Sequence, residues 1–386
     1  DEGRSEQGQA GNGLAGEVFH AQGTGAGKLS KPRVIVIGAG IIGAASAYEL
    51  ASRGADVTIL DAGSGRATDG SFGWINASFF ENPDYYALRV EGIAAYHRLQ
   101  KRLDVPVTWT AGLCWECAGA ALDAQFEALQ AVGYPAEILE RADITRLEPD
   151  LSAAPERAIR FSAEGVAEPG AITTRFLKAA IALGAKYARG FQVQGFELRA
   201  GQVCGARTAQ GTFEADQVLV AAGTGTQSLL AQLDIALPML HRPALVLTTR
   251  PANLRLTHVL ATDFGEVRQL PTGALITPAA IGHQGNSAEE LDAHPDDAAL
   301  RSMSRLKALF PDVPLELAEM HLAHRPVPKD GFPAVGAVAP GLYAATLHSG
   351  ITLGALMGEL IGEEMLNGES RETAKWLAPY RPSRFA

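Results

Sequence analysis

The feature that most constrains this chain is Gly38-Ala39-Gly40-Ile41-Ile42-Gly43. Before it stands Val34-Ile35-Val36-Ile37, a β-branched run that reads as a buried parallel strand. After it, residues 41–53 read as a helix closed by Gly54. Asp56 to Leu60 reads as a second strand, ending at Asp61. Strand, turn, helix and strand make a βαβ unit with a right-handed crossover. In such a unit each glycine has its own task. Gly38 makes the tight turn, Gly40 lets a pyrophosphate approach the backbone, and Gly43 lets helix pack on strand. The helix start at Ile41 and Ile42 brings free N–H groups and partial positive charge. Asp61 can accept hydrogen bonds from a ribose diol and would repel the 2′-phosphate of NADP.

The motif suits NAD and FAD equally, so the rest of the chain decides. Residues 62–78, rich in Gly, Ser, Thr and Ala, form a loop too long for an ordinary connection. No third βα unit follows it. The pattern changes, and strands suited to the first sheet return only near 217 and 342. That discontinuous layout resembles FAD enzymes.

Helices are expected over 84–103, 121–131, 171–183, 296–309 and 351–367. Strands are expected over 105–117, 191–198, 202–208, 212–214, 217–222 and 342–346, with 244–281 mostly strand. At roughly 150 residues per domain, 386 residues suggest two or three domains. Residues 1–30 read as a tag, linker or disordered lead without a secretory signal.

A formal charge of −10 and no Lys/Arg-rich run argue against a nucleic-acid partner. No apolar run of about 18 residues suggests a transmembrane segment. Three cysteines do not make a disulfide framework, and a cytoplasmic setting is the expectation.

Four blocks in order carry a more specific signal. They are Val34 to Asp61, the loop around Ser71, Gln217-Val218-Leu219-Val220-Ala221-Ala222-Gly223-Thr224, and a last composite block. The last joins His324-Arg325-Pro326-Val327-Pro328-Lys329-Asp330-Gly331-Phe332-Pro333, Gly341-Leu342-Tyr343 and His348-Ser349-Gly350-Ile351-Thr352-Leu353. Together they resemble the D-amino-acid oxidase or glycine oxidase superfamily of FAD-dependent oxidoreductases, over about residues 33 to 370.

The resemblance implies an α/β chain, α+β overall. It has a Rossmann-like FAD-binding domain (31–80, 160–232 and 325–386) and a discontinuous antiparallel-sheet substrate domain (81–159 and 233–324). It implies that Ser71 sits near the FAD phosphates, Val193 meets the adenine, and Ala222 and Gly223 line the cofactor. His348, Ser349, Gly350, Ile351 and Thr352 would lead N–H groups to the pyrimidine edge of the flavin. Arg325 would grip a substrate carboxylate with its bidentate fork.

The implied reaction removes hydride from an amine-bearing carbon and passes it to flavin, giving an imine that hydrolyses. The partners are an amine or amino-acid substrate and oxygen or another electron acceptor, with homo-oligomerisation left open. A 2-hydroxy-acid dehydrogenase using the same Arg clamp, or a flavin-binding subunit of a larger complex, are the alternatives.

Relatives often carry a Tyr on the strand facing the substrate, whereas Glu266-Val267-Arg268-Gln269-Leu270 has none. Strand alternation puts Glu266 and Arg268 on one face. Lining the pocket, they would call for extra polar groups on the substrate; otherwise they are surface charges. Non-covalent FAD is expected. No Cys lies beyond Cys204, and the loop after the βαβ unit has Trp74 where a histidyl link would need His.

Gly350, Gly354, Gly358 and Gly362 recur every four residues, at a cost of roughly 3–4 kcal/mol in helix propensity. The last three read as helix packing and Gly350 as cofactor contact. Cys114-Trp115-Glu116-Cys117, in a strand-like run, reads as structural, since i and i+3 point to opposite faces. His321 and His324 are set aside for the same reason, and no metal site is expected.

Overall fold

The computed structural model describes residues 31–65, 67–80, 82–280, 291 and 294–386. The expected lead, residues 1–30, lies outside them. Residues Pro32–Ala386 pack as one compact unit. Its centre is a six-stranded sheet in the order Ala334–Ala339, Leu342–Thr346, Gln217–Val220, Arg33–Ile37, Asp56–Asp61, Lys186–Arg189. All neighbours run parallel except the first pair. Arg33–Ile37 lies in the middle, which is why Val34 to Ile37 are all buried.

Helix Ile41–Ser52 is buried along nearly its whole length because helices Gly350–Asn367 and Pro169–Ala182 both pack on it. Two rows spaced every four residues meet there. A Cβ on Gly354 would lie 2.8 Å from Ile41 Cγ1, on Gly358 3.0 Å from the Ala45 carbonyl, and on Gly362 3.0 Å from Glu49 Cβ. Gly350 continues the row, 3.2 Å from Ile41 Cγ2, so it packs on the first helix as well as lining the cavity described below.

Helix Pro83–Gln100 starts cleanly, with Pro83 in its first turn and the Asn82 side chain accepting from Tyr85 N (2.8 Å). It braces the last helix: Tyr96 donates to the Ile351 carbonyl at 2.6 Å. Among the described residues no helix is long and apolar enough to cross a membrane.

The second large sheet has eight strands, from the edge strand Leu317–His324 through Pro243–Pro251, Ala274–Pro278, Gly265–Gln269, Val259–Thr262, Gly112–Trp115 and Arg157–Phe161 to Ala136–Glu140. It is antiparallel apart from Val259–Thr262 with Gly112–Trp115. Val193–Arg199, Gln202–Thr208 and Gly211–Glu214 form a separate meander. Every strand of the six-stranded sheet comes from 31–80, 160–232 or 325–386. The eight-stranded sheet comes from 81–159 and 233–324, plus the last two residues of Arg157–Phe161. Helix Pro83–Gln100 packs on the last helix.

The expected strand over 105–117 is two short ones, Val107–Thr108 and Gly112–Trp115, separated by a turn with Ala111 at φ 62°. Strands Lys186–Arg189 and Ala136–Glu140 escape the sequence reading because both are sheet edges with polar faces.

Candidate active site

The C-terminal ends of the parallel strands open into a cavity of about 1080 Å³, just above the roughly 300–1,000 Å³ typical of ligand sites. At one end the shape is set by backbone. Gly38 has φ +100°, and a Cβ there would lie 2.4 Å from the Ala221 carbonyl. A Cβ on Gly43 would lie 2.0 Å from the Gly38 carbonyl, so Gly43 serves packing and stands off the cavity wall. Gly40 faces the cavity, with Thr68 Oγ1 as its nearest neighbour. That hydroxyl accepts from Ile41 N at 3.2 Å and ties the long loop to the helix start.

Ser71 lies on the same loop, its hydroxyl accepting from Gly73 N (3.2 Å). Asp61 accepts from Ala39 N and from the Tyr187 hydroxyl, each at 3.3 Å. Gly38, Gly40, Ile41, Ile42, Asp61, Ser71, Val193, Ala222, Gly223 and His348 to Thr352 all line this one cavity. Tyr187 and Arg189 line it too. No sequence signal points to them, since they arrive on the edge strand beside Asp56–Asp61.

The start of the last helix is held from two sides. Tyr85 donates to Ser349 Oγ at 2.7 Å. Thr352 Oγ1 accepts from Asn76 N and donates to the Trp74 carbonyl, both at 3.3 Å. Its first N–H groups therefore have a fixed direction.

The other end is built from side chains. Glu266 and Arg325 line it, together with Leu245, Pro278 and Leu322. Arg325 follows the edge strand, and its N–H donates to the Arg242 carbonyl at 2.8 Å. The guanidinium is largely withdrawn from water, and its Nε is buried without a partner. Burial, with the nearby Arg242 charge, pushes its pKa below the ordinary arginine value, and Glu266 opposes this. A half-buried cation on a cavity wall with an unsatisfied donor can accept an anion as partner.

Arg268 is 2% exposed and does not line the cavity. Its Nε donates to the Phe72 carbonyl (2.6 Å) and its Nη1 to Glu168 (2.8 Å), with the guanidinium 5.7 Å from the Phe72 ring centre. It is a strut between the eight-stranded sheet and the long loop that carries Ser71 and Phe72. Glu266 is on the wall and Arg268 behind it, so neither is a surface charge.

Cys114 and Cys117 both reach the Gln125 side chain, at 3.9 and 3.5 Å. The strand ends at Trp115, so the alternation assumed for 117 does not apply. Burial pushes the Cys114 thiol up to about 12, which leaves little thiolate at neutral pH. His321 packs against Gly70, and the His324 ring lies tilted against His241 with ring centres 4.8 Å apart.

The residues present fit an FAD. The cavity is large, Gly40 adds no Cβ to its wall, a helix N-terminus adjoins it, and the Asp61 carboxylate closes the second strand on the same wall. Comparison with known proteins agrees. Residues 33–364 match the family model described as FAD dependent oxidoreductase (DAO). A glycine oxidase from Pseudomonas aeruginosa is 30% identical, covering 91% of this chain and 98% of that protein. A D-amino acid dehydrogenase from Rhizobium johnstonii is 26% identical, covering 90% and 99%. The crystal structure of glycine oxidase from Geobacillus kaustophilus superposes with a TM-score of 0.78 at 22% identity, covering 92% and 100%, and shows the same fold.

Proposed function

The chain belongs to the DAO family of FAD-dependent oxidoreductases, and on that premise we propose that it oxidises the carbon–nitrogen bond of a carboxylate-bearing amine or amino acid. The observation that carries this reading is Arg325, half-buried on the wall of the cavity that also takes in the glycine turn, with its Nε buried and without a hydrogen-bond partner. The names of the relatives, glycine oxidase and D-amino acid dehydrogenase, point the same way.

Non-covalent FAD would lie along Gly38, Gly40, Asp61, Ser71, Val193, Ala222 and Gly223, with its flavin ring toward His348 to Thr352. When bound, it supplies a two-electron acceptor for the hydride on the carbon bearing nitrogen. The protein's own part is alignment. Arg325 takes the substrate carboxylate in a two-point grip and so fixes the neighbouring carbon. Leu245, Pro278 and Leu322 exclude water around it. The helix start beyond His348 directs N–H groups and partial positive charge at the flavin side of the site. No protein base is needed if the amine reacts in its neutral form. The resulting imine hydrolyses in water to a carbonyl compound and an amine or ammonia.

The test is anaerobic. The purified yellow protein is mixed with glycine, D- and L-amino acids, N-substituted amino acids and 2-hydroxy acids while its spectrum is followed. Bleaching by an amine class supports the reading, and readmitted oxygen then separates oxidase from dehydrogenase. Bleaching by hydroxy acids alone overturns it. Acid precipitation should release the yellow colour into the supernatant.

A further inference from the structure

Residues 76–79, beside the start of the last helix, are held by two buried charges of opposite sign. Arg89, 4% exposed, takes their oxygens. Its Nε donates to the Asn76 carbonyl at 3.1 Å, and its terminal nitrogens donate to the Asn76 side chain and the Phe79 carbonyl. Glu164, fully buried, takes their N–H groups. It accepts from Ala77 N at 3.2 Å, from Ser78 N at 3.1 Å and from the Tyr134 hydroxyl at 2.7 Å. Arg89 and Asn76 line the cavity, whereas Glu164 does not.

The same residues bring Arg89 to the helix start. Asn76 N donates to Thr352 Oγ1 at 3.3 Å. The guanidinium centre lies 5.8 Å from the centre of the Tyr85 ring, whose hydroxyl donates to Ser349 Oγ at 2.7 Å. We propose that Arg89 is an electrostatic residue of the flavin site, whose charge stabilises the reduced flavin and so raises its reduction potential. This rests on the proposed placement of the flavin ring toward His348 to Thr352. Reduction adds negative charge to the pyrimidine edge of a flavin, and a cation in low-dielectric surroundings acts on it over several ångströms.

Two simpler roles fit the observations less well. As a grip for the substrate carboxylate, Arg89 is already engaged, since each of its three nitrogens has an oxygen partner. As a cross-link alone, it carries a costly charge for a task that needs only N–H groups. Burying a cation is unfavourable unless a carboxylate pairs with it, and no carboxylate of a described residue lies within 4.0 Å of Arg89. Burial pushes the Glu164 carboxyl above its usual range, so that acid is a weak counter-ion.

The reduction potential separates charge from cross-link. The FAD-loaded protein is reduced without oxygen beside a dye of known potential. Arg89→Gln should lower the equilibrium constant for two-electron reduction about tenfold, or about 30 mV. Sulfite bleaches an oxidised flavin by donating its electron pair, which leaves the ring negatively charged, and it should bind about tenfold more weakly. Arg89→Lys keeps the charge and loses the three-way grip, so it should stay within about threefold of the wild type in both readings even where Tm falls. Asn76→Asp sets a carboxylate where the side-chain oxygen already meets the guanidinium, and should lower the potential with Tm kept, which decides the matter if Arg89→Gln does not fold. Ser349→Asp places a negative charge at the helix start itself and should lower the potential wherever the ring lies there. If Ser349→Asp responds, an unchanged potential in Arg89→Gln or Asn76→Asp, or an Arg89→Lys as low as Arg89→Gln, overturns the inference alone. A potential that Ser349→Asp leaves unmoved overturns the ring placement and the inference with it.

Discussion

The two ends of the cavity are built from different materials. At the cofactor end, shape comes from missing Cβ atoms and fixed N–H groups: Gly38 at φ +100°, Gly40 open to the cavity, Gly43 against the Gly38 carbonyl. At the substrate end, shape comes from side chains on segments far apart in sequence, with Glu266 and Arg325 set among apolar neighbours. Arg268 ties the two ends together through the Phe72 carbonyl and Glu168.

The comparison can be broken most severely at Gly38. Gly38→Ala introduces both a disfavoured φ and a 2.4 Å contact with the Ala221 carbonyl, together about 2–4 kcal/mol. The flavin-to-protein absorbance ratio should collapse and Tm should fall. A variant that keeps its flavin would show that backbone shape does not build this end.

The strut comes next. Arg268→Met leaves the Phe72 carbonyl and Glu168 without their partner, at about 2–3 kcal/mol. The urea midpoint should drop and FAD binding should weaken, because the loop carrying Ser71 loses its hold. Unchanged FAD affinity would mean the two ends are mechanically separate.

Asp61→Asn should act on one end only. Removing the charge that accepts from Ala39 N and Tyr187 should raise the Kd for FAD about tenfold. The KM for the amine should not move. A parallel change in KM would mean that the ends are coupled.

The smallest effect is expected away from both ends. Gly358→Ala sets a Cβ 3.0 Å from the Ala45 carbonyl, but alanine returns about 1 kcal/mol of helix propensity against an overpacking cost of about 1–3. Tm should fall slightly with flavin content unchanged.

The same contrast explains what could be read from the chain. The βαβ unit was legible because glycine spacing, a β-branched run and a closing acid are local demands on sequence. The separation of Gly354, Gly358 and Gly362 as packing positions also followed from local periodicity, and each meets the first helix. Gly350 shows its limit: one residue serves both the helix contact and the cavity wall. At the substrate end, alternation placed Glu266 and Arg268 on one face but could not say how deep each lies. That depth is set by Phe72 and Glu168, about 196 and 100 positions away from Arg268. Tyr187 was invisible for the same reason, as was the end of the strand at Trp115 that brings Cys114 and Cys117 to Gln125.

The most direct measurement is an anaerobic titration of wild type and Arg325→Ala, both loaded with FAD, with the amino acid that bleaches the wild type fastest. Losing the anchor of a buried charged contact should cost about 2–5 kcal/mol, seen as a rise of at least thirtyfold in the concentration needed for half-bleaching. Flavin content and spectrum should stay as in the wild type. Half-bleaching at the wild-type concentration, or loss of the flavin itself, would contradict the division of this cavity into a cofactor end and a carboxylate end.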